Sequence, residues 1–149
     1  PDNGDIAYAA TVDGMRRSGT DRGPVNVYIS LNGGADWSLA GTCETCGGAI
    51  TMVVQPGNPE VVWAATNNGV QVSRDGGKAW SGNLIEQYTD RSGSYGVAIQ
   101  PDAPDTILVA SAESGMFRST DGGKTWVQSN PGLTSSQLHH VHFALSNPN

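Results

Sequence analysis

At 149 residues and 37% hydrophobic content, the chain is long enough for one ordinary domain with a modest core. Twenty glycines, eight prolines and only 15% charged residues point away from helices and toward short strands joined by many turns. A formal net charge of −6, with basic residues scattered singly apart from Arg16 and Arg17, leaves no stripe for phosphate contacts and excludes nucleic acid as an expected partner. No apolar run approaches the roughly 20 residues of a membrane helix, so membrane insertion is not expected either.

The chain opens with PDNGDIAYAAT, a strand signal, and runs into the polar insertion TVDGMRRSGTDRGPV before a second signal, VNVYIS. SLNGGADW, Ser30 to Trp37, follows as a glycine-rich turn, and GTCETCGG closes the first unit. Next come ITMVVQ, VVWAAT, VQVSR and AWSG, divided by PGNPE, NNG and DGGK, whose Pro, Gly, Asn and Asp residues carry turn chemistry. That order predicts a four-stranded antiparallel meander. After the loop GNLIEQYTDRSGSY the same order returns in GVAIQPDAPDTILVASAESGMFRSTDGGKTW, and HHVHFALSNPN near the end has the form of another opening strand and turn.

The chain is therefore a repeat. Trp37, Trp80 and Trp126 are 43 and 46 residues apart, and Ser30, Ser73 and Ser119 keep the same separations. Four strands in about 45 residues, repeated without any 3.6-residue apolar period, predict an all-β fold built of β-propeller blades. The boundaries expected are blade 1 over about 1–42 without its first strand, blade 2 over about 48–83, blade 3 over about 94–130, and the first strand of a next blade over about 138–149. A closed propeller needs about four to eight blades. The expected partners are thus the remaining blades of a longer chain or, alternatively, a second copy of this chain completing the ring.

The boxes SRDGGKAW and STDGGKTW fit Ser/Thr-x-Asp-x-Gly-x-x-Trp at Ser73, Asp75, Gly77 and Trp80, and at Ser119, Asp121, Gly123 and Trp126. In SLNGGADW, Ser30, Gly34 and Trp37 fit while Asn32 replaces the Asp. This wording resembles the Asp-box, or bacterial neuraminidase repeat, of a propeller superfamily that includes sialidases, xyloglucanase-type glycoside hydrolases, sortilin-type receptors and photosystem II assembly-factor-like proteins. The resemblance implies that each box is the hairpin between the third and fourth strands of a blade, on a face not used for chemistry. The residues agree with a structural role: the Asp accepts backbone N–H groups, the glycines permit positive φ, and the Trp covers the turn. Asn32 keeps the accepting oxygen without the charge, which a turn tolerates better than an acid catalyst.

Candidate binding residues lie in the less regular loops. The first insertion carries Asp13, Arg16, Arg17, Asp21 and Arg22, a mixture suited to carboxylates or hydroxyls, and also to a solvated loop. The arginine-isoleucine-proline motif that a sialidase resemblance would imply is missing. The preferred binding loop holds Glu86, Tyr88, Asp90, Arg91 and Tyr95, with tyrosines to stack on sugar rings and carboxylates to accept hydroxyls. A glycosidase needs two carboxylates flanking one bond, and the candidates are Asp13, Glu86, Asp90 and Glu113. Cys43 and Cys46 are read as a loop-pinning disulfide, with a redox pair or half a metal site as alternatives. His139, His140 and His142 are read as a polar strand end; no metal and no cofactor is expected.

The function expected is noncatalytic recognition of a glycan or a protein partner by part of an exported propeller, whether secreted, periplasmic or on the cell surface. The low lysine content and the Asn/Ser/Thr/Gly-rich loops point to export. The alternative is part of a xyloglucanase-type glycoside hydrolase.

Overall fold

The computed structural model describes residues 4–12, 24–85 and 94–144. Among them are strands and turns and no helix, and the strands form three antiparallel sheets. Blade 1 holds β1 (Ala7–Val12), β2 (Val25–Ser30) and β3 (Ser38–Cys43). Blade 2 holds β4 (Ala49–Gln55), β5 (Asn58–Thr66) and β6 (Gly69–Ser73). Blade 3 holds β7 (Ser94–Gln100), β8 (Ala103–Ser111), β9 (Met116–Ser119) and β10 (Val127–Gln128). Each sheet is a meander in which strands adjacent in the chain are adjacent in space, the arrangement that short turns enforce.

The hairpin between β4 and β5 turns at Pro56–Gly57, where proline presets the first central φ and Gly57 takes a φ of 74° at the second. From Val61 to Thr66 every residue of β5 is buried, which explains the unbroken run VVWAAT where an exposed sheet face would alternate. β5 lies mid-sheet, and its blade has a neighbour on each side.

Three sequence expectations meet a different structure. AWSG was expected to form a fourth strand in blade 2, but the sheet there ends at β6. Ser81 N–H donates to Val72 O, while Val72 N–H is taken by the Ser81 hydroxyl instead of a backbone carbonyl. A side chain thus satisfies the ladder position, and the segment folds as irregular chain. Tyr95 was placed in the loop before blade 3; it lies within β7, where pairing shifts between Ser94↔Ser111 and Gly96↔Ala110. The stretch 138–144, read as an opening strand, carries no strand here, and its backbone passes Gly96 while Leu138 N–H donates to Ser111 O.

The core sits between blades. Val61, Trp63, Val70 and Val72 of blade 2 join Val97, Ile107, Val109, Phe117 and Trp126 of blade 3 in one buried cluster. A smaller one joins Val25, Val27, Cys43 and Cys46 with the half-buried Tyr8, Met52 and Trp80 across blades 1 and 2. β4 packs beside β7, which places the opening strands of blades 2 and 3 side by side, and it also meets β1, the second strand of blade 1.

Hydrogen bonds distinguish two faces. On one, each box turn meets the start of its own blade's second strand: Gly33 N–H to Asp5 O, Gly76 N–H to Glu60 O, and Gly122 N–H to Asp105 O. On the other, the turns after β5 and β8 meet the links between blades, through Asn67 N–H to Gly48 O and Gly115 N–H to Ser136 O. These are the box face and the loop face.

Candidate functional site

The three boxes have one geometry. The serine hydroxyl is buried, donates to Oδ1 of residue 32, 75 or 121 at 2.8–2.9 Å, and accepts the N–H of Gly34, Gly77 or Gly123 at 2.8–2.9 Å. The indole N–H of Trp37, Trp80 or Trp126 closes the turn on the carbonyl of the same glycine at 3.1 Å. Asp75 Oδ1 accepts from the N–H groups of Ala79 and Lys78, and Asp121 Oδ1 from those of Thr125 and Lys124.

Those donors favour the ionised form. The Ala79 N–H and then the Ser73 hydroxyl hold the Asp75 carboxyl below its ordinary range. The Thr125 hydroxyl and N–H, with Ser119, hold Asp121 lower still. An acid held ionised and occupied by its own turn has no proton to give a substrate near neutral pH. Asn32 makes the same turn by accepting from Asp36 N–H at 2.9 Å, and its amide donates to Asp36 Oδ2 at 3.0 Å. The box residues are fold elements in all three copies.

The indole also reaches beyond its own blade, a feature that reading within one repeat did not reveal. Trp126 packs edge-on against Trp63 of blade 2, with ring centroids 6.3 Å apart. Trp80 joins the blade 1 cluster of Val25 and Val27. Gly77 and Gly123 let the box approach, since a Cβ on Gly77 would lie 3.1 Å from Val27 and one on Gly123 would overlap the Trp63 ring. The second and third boxes therefore each clamp the blade before them. Trp37 has no such neighbour among the described residues and is 45% exposed.

On the loop face lies the link from Cys43 to Cys46, which are joined by a disulfide. The buried Gln71 of β6 donates from Nε2 to Thr45 O at 3.1 Å and accepts the Thr45 hydroxyl at 3.0 Å. Asn68 donates to the same carbonyl at 2.8 Å. This short loop presents Glu44 to solvent, a carboxylate that sequence reasoning passed over. Its signal was its position between two cysteines that hold it in place.

Of the acids named from sequence, Glu113 lies exposed in the turn after β8, where its N–H donates to the Ser111 hydroxyl at 3.3 Å. Asp13, Arg16, Arg17, Asp21, Arg22, Glu86, Tyr88, Asp90 and Arg91 lie outside the described residues. His140 and His142 are exposed and stack with centroids 6.5 Å apart. Among the described residues no group of three or more His, Cys, Asp and Glu side chains is placed to hold a metal ion. The described loop face thus presents Glu44 and Glu113 as exposed carboxylate acceptors.

Residues 117–128 match the BNR/Asp-box repeat family. Over 169 aligned positions the chain is 25% identical to a xyloglucanase of Hypocrea jecorina (strain QM6a), taking in 88% of this chain and 20% of that protein. The chain thus spans about a fifth of that relative's length. Among solved structures, a GH74 enzyme of Niastella koreensis superposes with a TM-score of 0.69 at 19% identity, covering 93% of this chain and 22% of the other. The GH74 xyloglucanase from Xanthomonas campestris gives 0.68 at 18% identity, over 89% and 22%. At these identities the structural likeness establishes the fold, that of β-propeller blades.

Proposed function

We propose that this run of Asp-box propeller blades is part of an exported protein that binds a xyloglucan-class β-glucan on its loop face, within a propeller of the glycoside-hydrolase kind. One observation carries the reading: likeness to a xyloglucanase along 88% of the chain. The loop face supports it by anchoring Glu44 and Glu113 as hydroxyl acceptors. Tyr88 and Tyr95 supply rings for sugar stacking, and Glu86, Asp90, Arg16, Arg17 and Arg91 supply further polar contacts. Hydrolysis requires two carboxylates about 5–9.5 Å apart across one glycosidic bond. Glu113, Asp13, Glu86 and Asp90, with Glu44 added, are the acids from which this segment would contribute to such a pair.

The test is electrophoresis of the folded 149-residue chain through native gels containing soluble xyloglucan, an α-glucan, or no polysaccharide. Retardation by xyloglucan alone is expected, without release of new reducing ends, and Tyr88→Ala should weaken it about 3- to 10-fold. Equal mobility in all three gels would overturn the reading.

A further inference from the structure

The two joints between blades use corresponding residues on the box face, and in one of them a residue is replaced. One residue after the box serines, Arg74 of blade 2 corresponds to Leu31 of blade 1. By the matching runs WAAT and YAAT, Trp63 of β5 corresponds to Tyr8 of β1. Each pair faces the box of the following blade.

In the joint between blades 2 and 3, Arg74 fills the space. Its guanidinium carbon sits 5.9 Å from the centroid of the Trp63 ring, and Nη2 donates to Gly122 O at 3.3 Å. In the joint between blades 1 and 2, Leu31 cannot do this. A cavity of about 310 Å³ remains there, lined by Tyr8, Leu31, Leu39, Glu60, Asp75 and Lys78 among others. Leu31 is 67% exposed, so the cavity opens to solvent beside an apolar side chain that has little to cover it.

The features that hold Arg74 have counterparts around this cavity. The Tyr8 ring stands where the Trp63 ring stands, and Gly76 where Gly122 does. Glu60, like Asp105, adds a carboxylate at the start of its blade's second strand. Tyr8 is also fixed in place, because its hydroxyl donates to Pro59 O at 3.0 Å. Burial, and then the Glu60 charge, raise its phenol above the ordinary value, as expected for a ring beside negative potential. Lys78 opposes a cation, but its counterpart Lys124 stands beside the filled joint without expelling Arg74.

We infer that this cavity is a binding site for a guanidinium group on a short aliphatic chain, an arginine side chain presented by a peptide or protein. Its plane lies over Tyr8, its N–H groups reach Gly76 O and Glu60, and its methylenes cover Leu31 and Leu39. An ammonium lacks the planar fork that stacks and donates together, so lysine fits less well. The site lies on the box face and is independent of glycan binding on the loop face.

The test uses N-acetyl-arginine amide as probe, with the lysine and leucine amides as comparators, followed by amide chemical shifts of the folded chain. The arginine compound should shift Gly76 and Tyr8 and bind at least about tenfold more tightly than the lysine compound. Leu31→Arg should abolish probe binding and raise the Tm by about 2–4 °C, by supplying the missing guanidinium from within. Leu31→Ala, which removes one apolar wall but opens the cavity without filling it, should weaken binding only about 2- to 3-fold where Leu31→Arg abolishes it, and Glu60→Gln should weaken it about 3- to 10-fold. Leucine binding as tightly as arginine would overturn the proposal. So would undiminished probe binding in Leu31→Arg, or the absence of shifts at Gly76 and Tyr8 with every probe.

Discussion

The joint between blades 2 and 3 and the joint between blades 1 and 2 use the same parts to different effect. In the former, Trp126 is 7% exposed against Trp63, and a continuous apolar cluster runs through both sheets. In the latter, Tyr8 and Leu31 replace Trp63 and Arg74, the buried cluster is smaller, and a disulfide joins it. Blade 1 carries the same box again with Trp37 largely open to solvent. A repeat motif thus fixes a turn, while its contribution to stability depends on the surface it meets.

One substitution made in three places separates these roles. Trp126→Ala should cost about 3–5 kcal/mol, because it removes a buried indole and leaves a cavity against Trp63. Trp80→Ala, at a half-buried site, should cost about 1–3 kcal/mol, and Trp37→Ala about 0.5 kcal/mol. Denaturant unfolding of the three variants checks the order. Equal losses would mean that the indole acts only within its own turn.

Replacing Cys43 and Cys46 together by serine should cost about 1–2 kcal/mol, since the bridge closes a sequence separation of only 3. The loss should appear in the joint between blades 1 and 2 first, as faster amide exchange at Asn68 and Gln71, which bond to Thr45. Uniform acceleration along the chain would contradict that localisation.

Acid divides the boxes more gently. The folded-state values of Asp75 and Asp121 are depressed, so the unfolded chain binds protons more readily and stability rises with pH in that range. Their contribution is fully present above about pH 4, the ordinary carboxylate value, and is lost as pH falls toward the depressed values. Blade 1, with Asn32, contributes no such limb. The double variant Asp75→Asn, Asp121→Asn should flatten the acid limb of the Tm–pH profile between about pH 2 and 4; an unchanged slope would mean that other groups set it. The smallest effect expected is that of Asn32→Asp, below about 0.5 kcal/mol near neutral pH, because Asp36 already stands beside it.

Much of this comparison was legible in the sequence. Box spacing located three turns, and the runs VVWAAT and VNVYIS located strands, because a turn and its flanking strands are written in contiguous residues. Blade-to-blade contacts were not legible. Trp126 meets a residue of the preceding repeat, and nothing within one box says which neighbouring blade the indole faces. AWSG carried a strand signal, but the Ser81 hydroxyl supplies the bond that a strand would have made. Tyr95 was assigned to a loop because the bulge beside Gly96 interrupts the alternation. The substitution of Arg74 by Leu31 was visible, yet it acquires meaning only when Trp63 and Tyr8 are found beneath the two positions.

Gln71 bears on a difficulty common to tandem repeats, which is that similar units can stack in the wrong order. Two residues before the box serines stand Tyr28, Gln71 and Phe117, so the three blades differ at this position. Gln71 both donates to the Thr45 carbonyl and accepts the Thr45 hydroxyl, which the Phe117 ring cannot do. Were blade 3 to stack on blade 1 in place of blade 2, Phe117 would meet Thr45 and could make neither bond. The buried amide thus serves as an address label, favouring blade 2 over blade 3 as the neighbour of the Cys43–Cys46 link.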